Sequence, residues 1–183
     1  MSTARNSRIR LLTATATAAV AVLSLTAFSN GSDVRSGGAA TNAAACQGSN
    51  TKTVAAPLNR PVNHMLLTVT NTGSSTCYLY TYPAVRFGAA QSVPPAIEAS
   101  RPQSLVTLKP GESGYASVNL SATDGSGSHG RTEKSLAVYF HGPSGNESVG
   151  TSAHPALPAK GVYIDDSLKV TYWQQSMDDA VIW

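Results

Sequence analysis

The chain has 183 residues, with 13 Lys and Arg against 10 Asp and Glu, and two cysteines. Arg5, Arg8 and Arg10 sit near the N-terminus; without them ten basic residues face ten acidic ones. That balance excludes the clustered cationic surface needed to bind nucleic acid or an acidic membrane.

Residues 1–29 read as a secretory signal peptide. A basic head precedes an uncharged Leu/Ala/Thr/Val run from Leu11 to Phe28, and Ala27-Phe28-Ser29 offers small residues to signal peptidase. The competing reading is a retained membrane anchor, since 18 uncharged residues lie near the lower spanning limit. The run is only weakly apolar, which favours cleavage and leaves no stable span in the mature protein. A lipid anchor would need a Cys directly after the run, and the first is Cys46. No Arg-Arg pair occurs, so a bacterial general secretion route and an extracellular destination are expected.

Residues 30–45 are small and polar without hydrophobic periodicity, the composition of a flexible linker. Residues 46–183 then form one domain, long enough to build a single core without metal or multiple staples. In an oxidising compartment Cys46 and Cys77 read as a disulfide. The alternative, a metal or redox site, lacks a Cys-x-x-Cys motif and a nearby His.

Period-two alternation marks the strands in chain order, and no long amphipathic helix is visible. Met65, Leu67 and Val69 share one face of the first strong strand, which ends at Asn71-Thr-Gly-Ser. Cys77, Leu79 and Thr81 alternate with Tyr78, Tyr80 and Tyr82 in the next, expected to stop at Pro83 because proline cannot donate to a ladder. Leu105 and Leu108 lead into a Lys109-Pro-Gly-Glu turn, followed by Ala116, Val118 and Leu120 on one face. Leu136, Val138 and Phe140 line a further strand, and Leu168, Val170 and Tyr172 another. Residues 148–161, with Pro155 and Pro158, read as a long surface loop. The pattern predicts an all-β, immunoglobulin-like antiparallel Greek-key β-sandwich.

Candidate chemistry is sparse. No Gly-x-Ser-x-Gly elbow is present, and His129 lies in a Gly/Ser loop unsuited to proton transfer. His64-Met65 resembles half of a copper-binding motif, but strand neighbours point to opposite faces, so a surface His beside a core Met is the simpler reading. Asp165-Asp166 and Asp178-Asp179 lack calcium-loop spacing and read as solvated turn residues. No catalytic residue, cofactor or metal ligand is therefore assigned. Tyr82 reads as core. Tyr78 and Tyr80 would either fill the core or make a flat stacking surface for sugar or protein, and they are the possible interaction surface.

Two stretches carry a family resemblance. One contains Asn71-Thr72-Gly73-Ser74, Cys77-Tyr78-Leu79 and Tyr82-Pro83; the other is Val106-Thr107-Leu108-Lys109-Pro110-Gly111, and Cys46 stands at the domain's opening. Over residues 46–140 the chain resembles a family of secreted actinobacterial proteins catalogued as domain of unknown function 4232. Thr81 and Ala84 stand where that family usually has Gly, and its second Cys pair is absent. The resemblance implies an immunoglobulin-like sandwich outside the cell membrane and brings no known activity.

The expected function is a secreted non-enzymatic binding module, its partner a protein or glycan at the cell envelope. The alternative is an inhibitor or toxin-accessory protein acting through loop 122–132 or 142–160. A metal carrier or hydrolase is the remote alternative.

Overall fold

The computed structural model describes residues 44–183, so the expected signal peptide (residues 1–29) and all of the expected linker except Ala44 and Ala45 lie outside the described residues. Eleven strands follow: β1 (Thr51–Pro57), β2 (His64–Asn71), β3 (Cys77–Phe87), β4 (Ala96–Ile97), β5 (Val106–Leu108), β6 (Ser113–Asn119), β7 (Arg131–Glu133), β8 (Leu136–His141), β9 (Ser148–Ala153), β10 (Val162–Ile164) and β11 (Lys169–Thr171). Among the described residues a single short α-helix, α1 (Met177–Val181), follows the strands. Ser176 caps it by accepting the Asp179 N–H, so Asp178 and Asp179 occupy a helical first turn, where acidic residues suit the helix dipole.

The strands divide into a five-stranded sheet ordered β1-β2-β6-β11-β4, a four-stranded sheet ordered β5-β3-β8-β9, and a β10-β7 pair. Pairing is antiparallel except between β11 and β4. Alternation explains how the two larger sheets meet. In β2, Met65, Leu67 and Val69 lie opposite Val118, Ala116 and Gly114 of β6 and are fully buried. In the other sheet Leu79 lies opposite Val106, and Val85 and Phe87 opposite Val138 and Leu136. Side chains of both sheets join one core. The closest approach falls at Gly114, where an added Cβ would sit 2.6 Å from Leu79 Cδ1, so β6 can cross β3 there only without a side chain.

Two expectations about strand limits are corrected. β3 runs through Pro83 to Phe87 rather than stopping there. Its register against β8 shifts between Tyr80 and Ala84, so Pro83 lies in a bulge where no ladder donor is required of it. Residues 148–153, expected within a surface loop, form β9 and pair with β8. β9 is an edge strand of small residues whose faces are mostly open to water, so it lacks the apolar alternation that marks a half-buried strand.

Candidate functional site

Cys46 and Cys77 form a disulfide across 31 residues of sequence, and Cys77 is 1% exposed. Backbone pairing reinforces the link. The Cys46 N–H donates to the Tyr78 carbonyl at 2.9 Å, and the Tyr78 N–H to the Ala44 carbonyl at 3.0 Å. The first turn of β3 is thus held on one side by residues 44–46 and on the other by β5.

With Cys77 and Leu79 buried, alternation turns Tyr78 and Tyr80 to the outer side of the four-stranded sheet. Both are half-buried, and their ring centroids lie 6.3 Å apart at 37°. Burial, and secondarily the neighbouring Tyr78, raises the Tyr80 phenol above its ordinary range. The Tyr80/Ala84 register offset inserts two residues, which preserves parity and brings Arg86 and Tyr139 to the same side. There the Arg86 guanidinium stands 5.4 Å from the Tyr139 ring centroid, within cation–π range. This face can hold a ligand by ring contact, hydroxyl hydrogen bonds and one exposed cation.

The bulge organises a second cluster beside it. Thr81 adopts φ +53°, a left-handed conformation costly for a β-branched residue. Its turned carbonyl accepts the Trp173 N–H, and its Oγ1 is buried without a partner. Tyr82 then crosses between His141 and Tyr172, meeting both rings edge-on at 5.1 and 5.3 Å. Tyr82 packs against the core, as its place before Pro83 led one to expect. His141 is 9% exposed. Burial lowers its basicity; the Glu147 carbonyl opposes this without reaching hydrogen-bond geometry to either ring nitrogen.

On the far side of Tyr172, Arg101 lies 4.5 Å over the ring and bonds both its hydroxyl and Glu98 Oε2. The Tyr172 hydroxyl donates to Glu98 at 3.0 Å. Arg101, then Tyr172, hold the Glu98 carboxyl below its ordinary range, while burial and then Glu98 raise the Tyr172 phenol. A groove of about 200 Å³ opens here, its walls including Thr81, Arg101, Leu105, Tyr172 and Trp173. Trp173 stacks on Phe140 and is 1% exposed, its indole N–H unpartnered. Of these residues, Glu98, Arg101, His141 and Trp173 had no local signal, being assembled from segments far apart in the chain. Thr81 had one: a Thr at a position where the family usually has Gly.

Two other expectations change. Asp165 is not a solvated turn residue; it is 6% exposed and accepts the Ser167 and Ala122 N–H groups. Burial pushes its carboxyl up, but the hydrogen bonds from Ser167 and Ala122 outweigh that and hold it below the carboxylate range. Asp166 accepts the Ser128 N–H at 2.7 Å, so the pair anchors the Gly/Ser loop containing His129. His64 is not a surface residue either. It is 8% exposed, with Nδ1 2.6 Å from the Val62 carbonyl and Nε2 3.3 Å from that of Trp183. Among the described residues no three His, Cys, Asp or Glu side chains are placed to hold a metal ion, and no helix is long and apolar enough to cross a membrane.

These features define an all-β domain of antiparallel sheets, clamped by one disulfide beside an outward aromatic face. The chain belongs to the family described as "Domain of unknown function (DUF4232)", whose sequence model matches residues 46–174. The match reaches beyond the two motif stretches, through β8 to β11 and on to Gln174. No curated protein and no solved structure matches the chain.

Proposed function

We propose that this protein is a secreted, non-enzymatic binding module that uses the Tyr78–Tyr80 face to engage a protein or glycan at the cell envelope. The observation that carries this reading is the pairing of two half-exposed tyrosines on a strand end immobilised by the Cys46–Cys77 link. Aromatic rings held rigidly contribute contact area at little entropic cost, which suits them to recognition. The scaffold reads as an immunoglobulin-like Greek key. Supporting that reading, the chain passes repeatedly between the two large sheets. β1 and β2 lie in the five-stranded sheet, β3 in the four-stranded one, and β4 and β6 in the first again with β5 in the second between them; β8 and β9 then lie in the second and β11 in the first. Export through residues 1–29 accords with the disulfide.

The test is retention of purified mature protein on cell-wall fractions and immobilised glycans, comparing wild type with Tyr78→Ala/Tyr80→Ala. Retention lost in the double variant, with the near-ultraviolet spectrum otherwise native, supports the reading. No retention of wild type at micromolar concentration on any envelope fraction overturns it.

A further inference from the structure

Both edges of the four-stranded sheet are closed at a central threonine by a glutamine. At the β5 edge, the Gln175 side-chain amide accepts the Thr107 N–H at 3.2 Å and donates to the Thr107 carbonyl at 3.3 Å. That two-way exchange is what a hydrogen-bonded partner residue provides in an antiparallel ladder. At the β9 edge, Gln47 Oε1 accepts the Thr151 N–H at 3.1 Å while the Gly48 N–H donates to the Thr151 carbonyl at 2.7 Å.

The local backbone is fitted to the second plug. A Cβ on Gly150, which has φ +62°, would stand 1.3 Å from Gln47 Oε1, and one on Gly48 would stand 2.3 Å from the Ser152 carbonyl oxygen. At Gly48 a side chain would meet fixed backbone, and at Gly150 it would push the Gln47 amide out of its place. Gln47 follows Cys46 directly, so the disulfide tethers the plug next to the edge it covers.

We propose that Gln47 and Gln175 act as strand mimics that stop the sheet edges from pairing with a second copy of this chain. Edge strands commonly resist such pairing through lysine and other charged side chains or through proline, which has no N–H to donate. β5 (Val-Thr-Leu) and β9 (Ser-Val-Gly-Thr-Ser-Ala) contain none of these. Past residue 29 the chain carries ten basic and ten acidic residues, so net charge repulsion between copies is weak. β9 spans six residues against three for β5, so the pairing held back is β9 against β9 about a two-fold axis.

The experiment uses the exported protein and its Gln47→Ala variant, followed by sedimentation velocity over a range of concentrations and by amide hydrogen exchange. In wild type the Thr107 and Thr151 amides should be protected and the protein monomeric. In Gln47→Ala, exchange at Thr151 should rise roughly three- to tenfold in dilute solution, and a concentration-dependent dimer should form. Adding Thr151→Lys, which leaves the backbone groups in place but charges the edge, should return the variant to monomer. A Gln47→Ala protein that stays monomeric with Thr151 exchange unchanged overturns the proposal, as does a dimer indifferent to Thr151→Lys. Rapid exchange at Thr151 in wild type overturns it without any variant.

Discussion

Thr81 and Trp173 are joined through their backbones: the Trp173 N–H donates to the Thr81 carbonyl at 3.0 Å. The bond exists because the β3 bulge turns that carbonyl out of its own ladder, toward the segment after β11. It thereby ties the four-stranded sheet to the chain leaving the five-stranded one. Thr81 holds this position at φ +53°, where a left-handed conformation costs an L-residue about 1–2 kcal/mol. Its hydroxyl is also buried without a partner, a further penalty of about 1–3 kcal/mol. Thr81→Gly removes both penalties and adds about 0.5–1 kcal/mol of lost chain entropy. It should raise the stability measured by urea unfolding by about 1 kcal/mol or more. Thr81→Val keeps the strained backbone and removes only the orphan hydroxyl, so it should gain less. A Gly variant less stable than wild type would show that the carbonyl's position depends on the Thr side chain.

His141 makes the fold sensitive to mild acid. Folding holds the imidazole below its ordinary value of 6.5, first by burial, so the native state favours the neutral ring. The unfolded chain binds the proton more readily, and stability therefore falls as pH drops below that value toward the native one. Tyr80, Tyr82 and Glu147 are the titratable residues beside it. Urea midpoints taken between pH 7.5 and 5 should decline in wild type and stay flatter in His141→Phe. Equal slopes in the two proteins would remove His141 as the cause. Glu98 and Asp165, held low by their partners, lose their contributions only in the more acidic carboxylate range.

The Cys46–Cys77 link closes a loop of about 30 residues, worth about 3–4 kcal/mol in the chain-entropy picture. Cys46→Ser/Cys77→Ser should lose up to that amount in denaturant unfolding, and a reducing agent should shift wild type the same way. Because Tyr78 exchanges backbone bonds with Ala44 and Cys46, its amide should also lose protection in the variant. Unchanged stability with both sulfurs removed would mean that the 44–46 pairing holds the strand end by itself.

The legible parts of the sequence were those where one face is dry and the other wet. Met65, Leu67 and Val69, or Leu136, Val138 and Phe140, alternate because the pleat sends every second side chain into the shared core. β1 and β9 stayed hidden for the converse reason: they are edge strands with mostly open faces, so pairing rather than burial creates them. Alternation separated Tyr78 and Tyr80 from Cys77 and Leu79 but left open which set met the other sheet; the nearly complete burial of Cys77 and Leu79 decides it. Pro83 misled because the rule against proline applies to a regular ladder, and a bulge suspends it. Asp165 misled because the amide of Ala122 that buries it comes from 43 positions away. The Glu98–Arg101–Tyr172 contact likewise spans more than 70 positions, and no local pattern encodes it.

Gly114 and Leu79 set the spacing between the two large sheets. A methyl group at Gly114 would lie 2.6 Å from Leu79 Cδ1 and 3.2 Å from Val106 Cγ1, and all three residues are buried. A dense interior relaxes little, so Gly114→Ala should cost about 1–3 kcal/mol through overpacking. Leu79→Val should cost about 1 kcal/mol by leaving a small void. Combined, the two changes exchange a methyl group across the interface, and the double variant should be more stable than the sum of the single losses predicts. A double-mutant cycle read by thermal or urea unfolding measures that coupling, expected at about 0.5–1.5 kcal/mol. Strict additivity would place the sheets farther apart at this point than the Gly114–Leu79 contact requires.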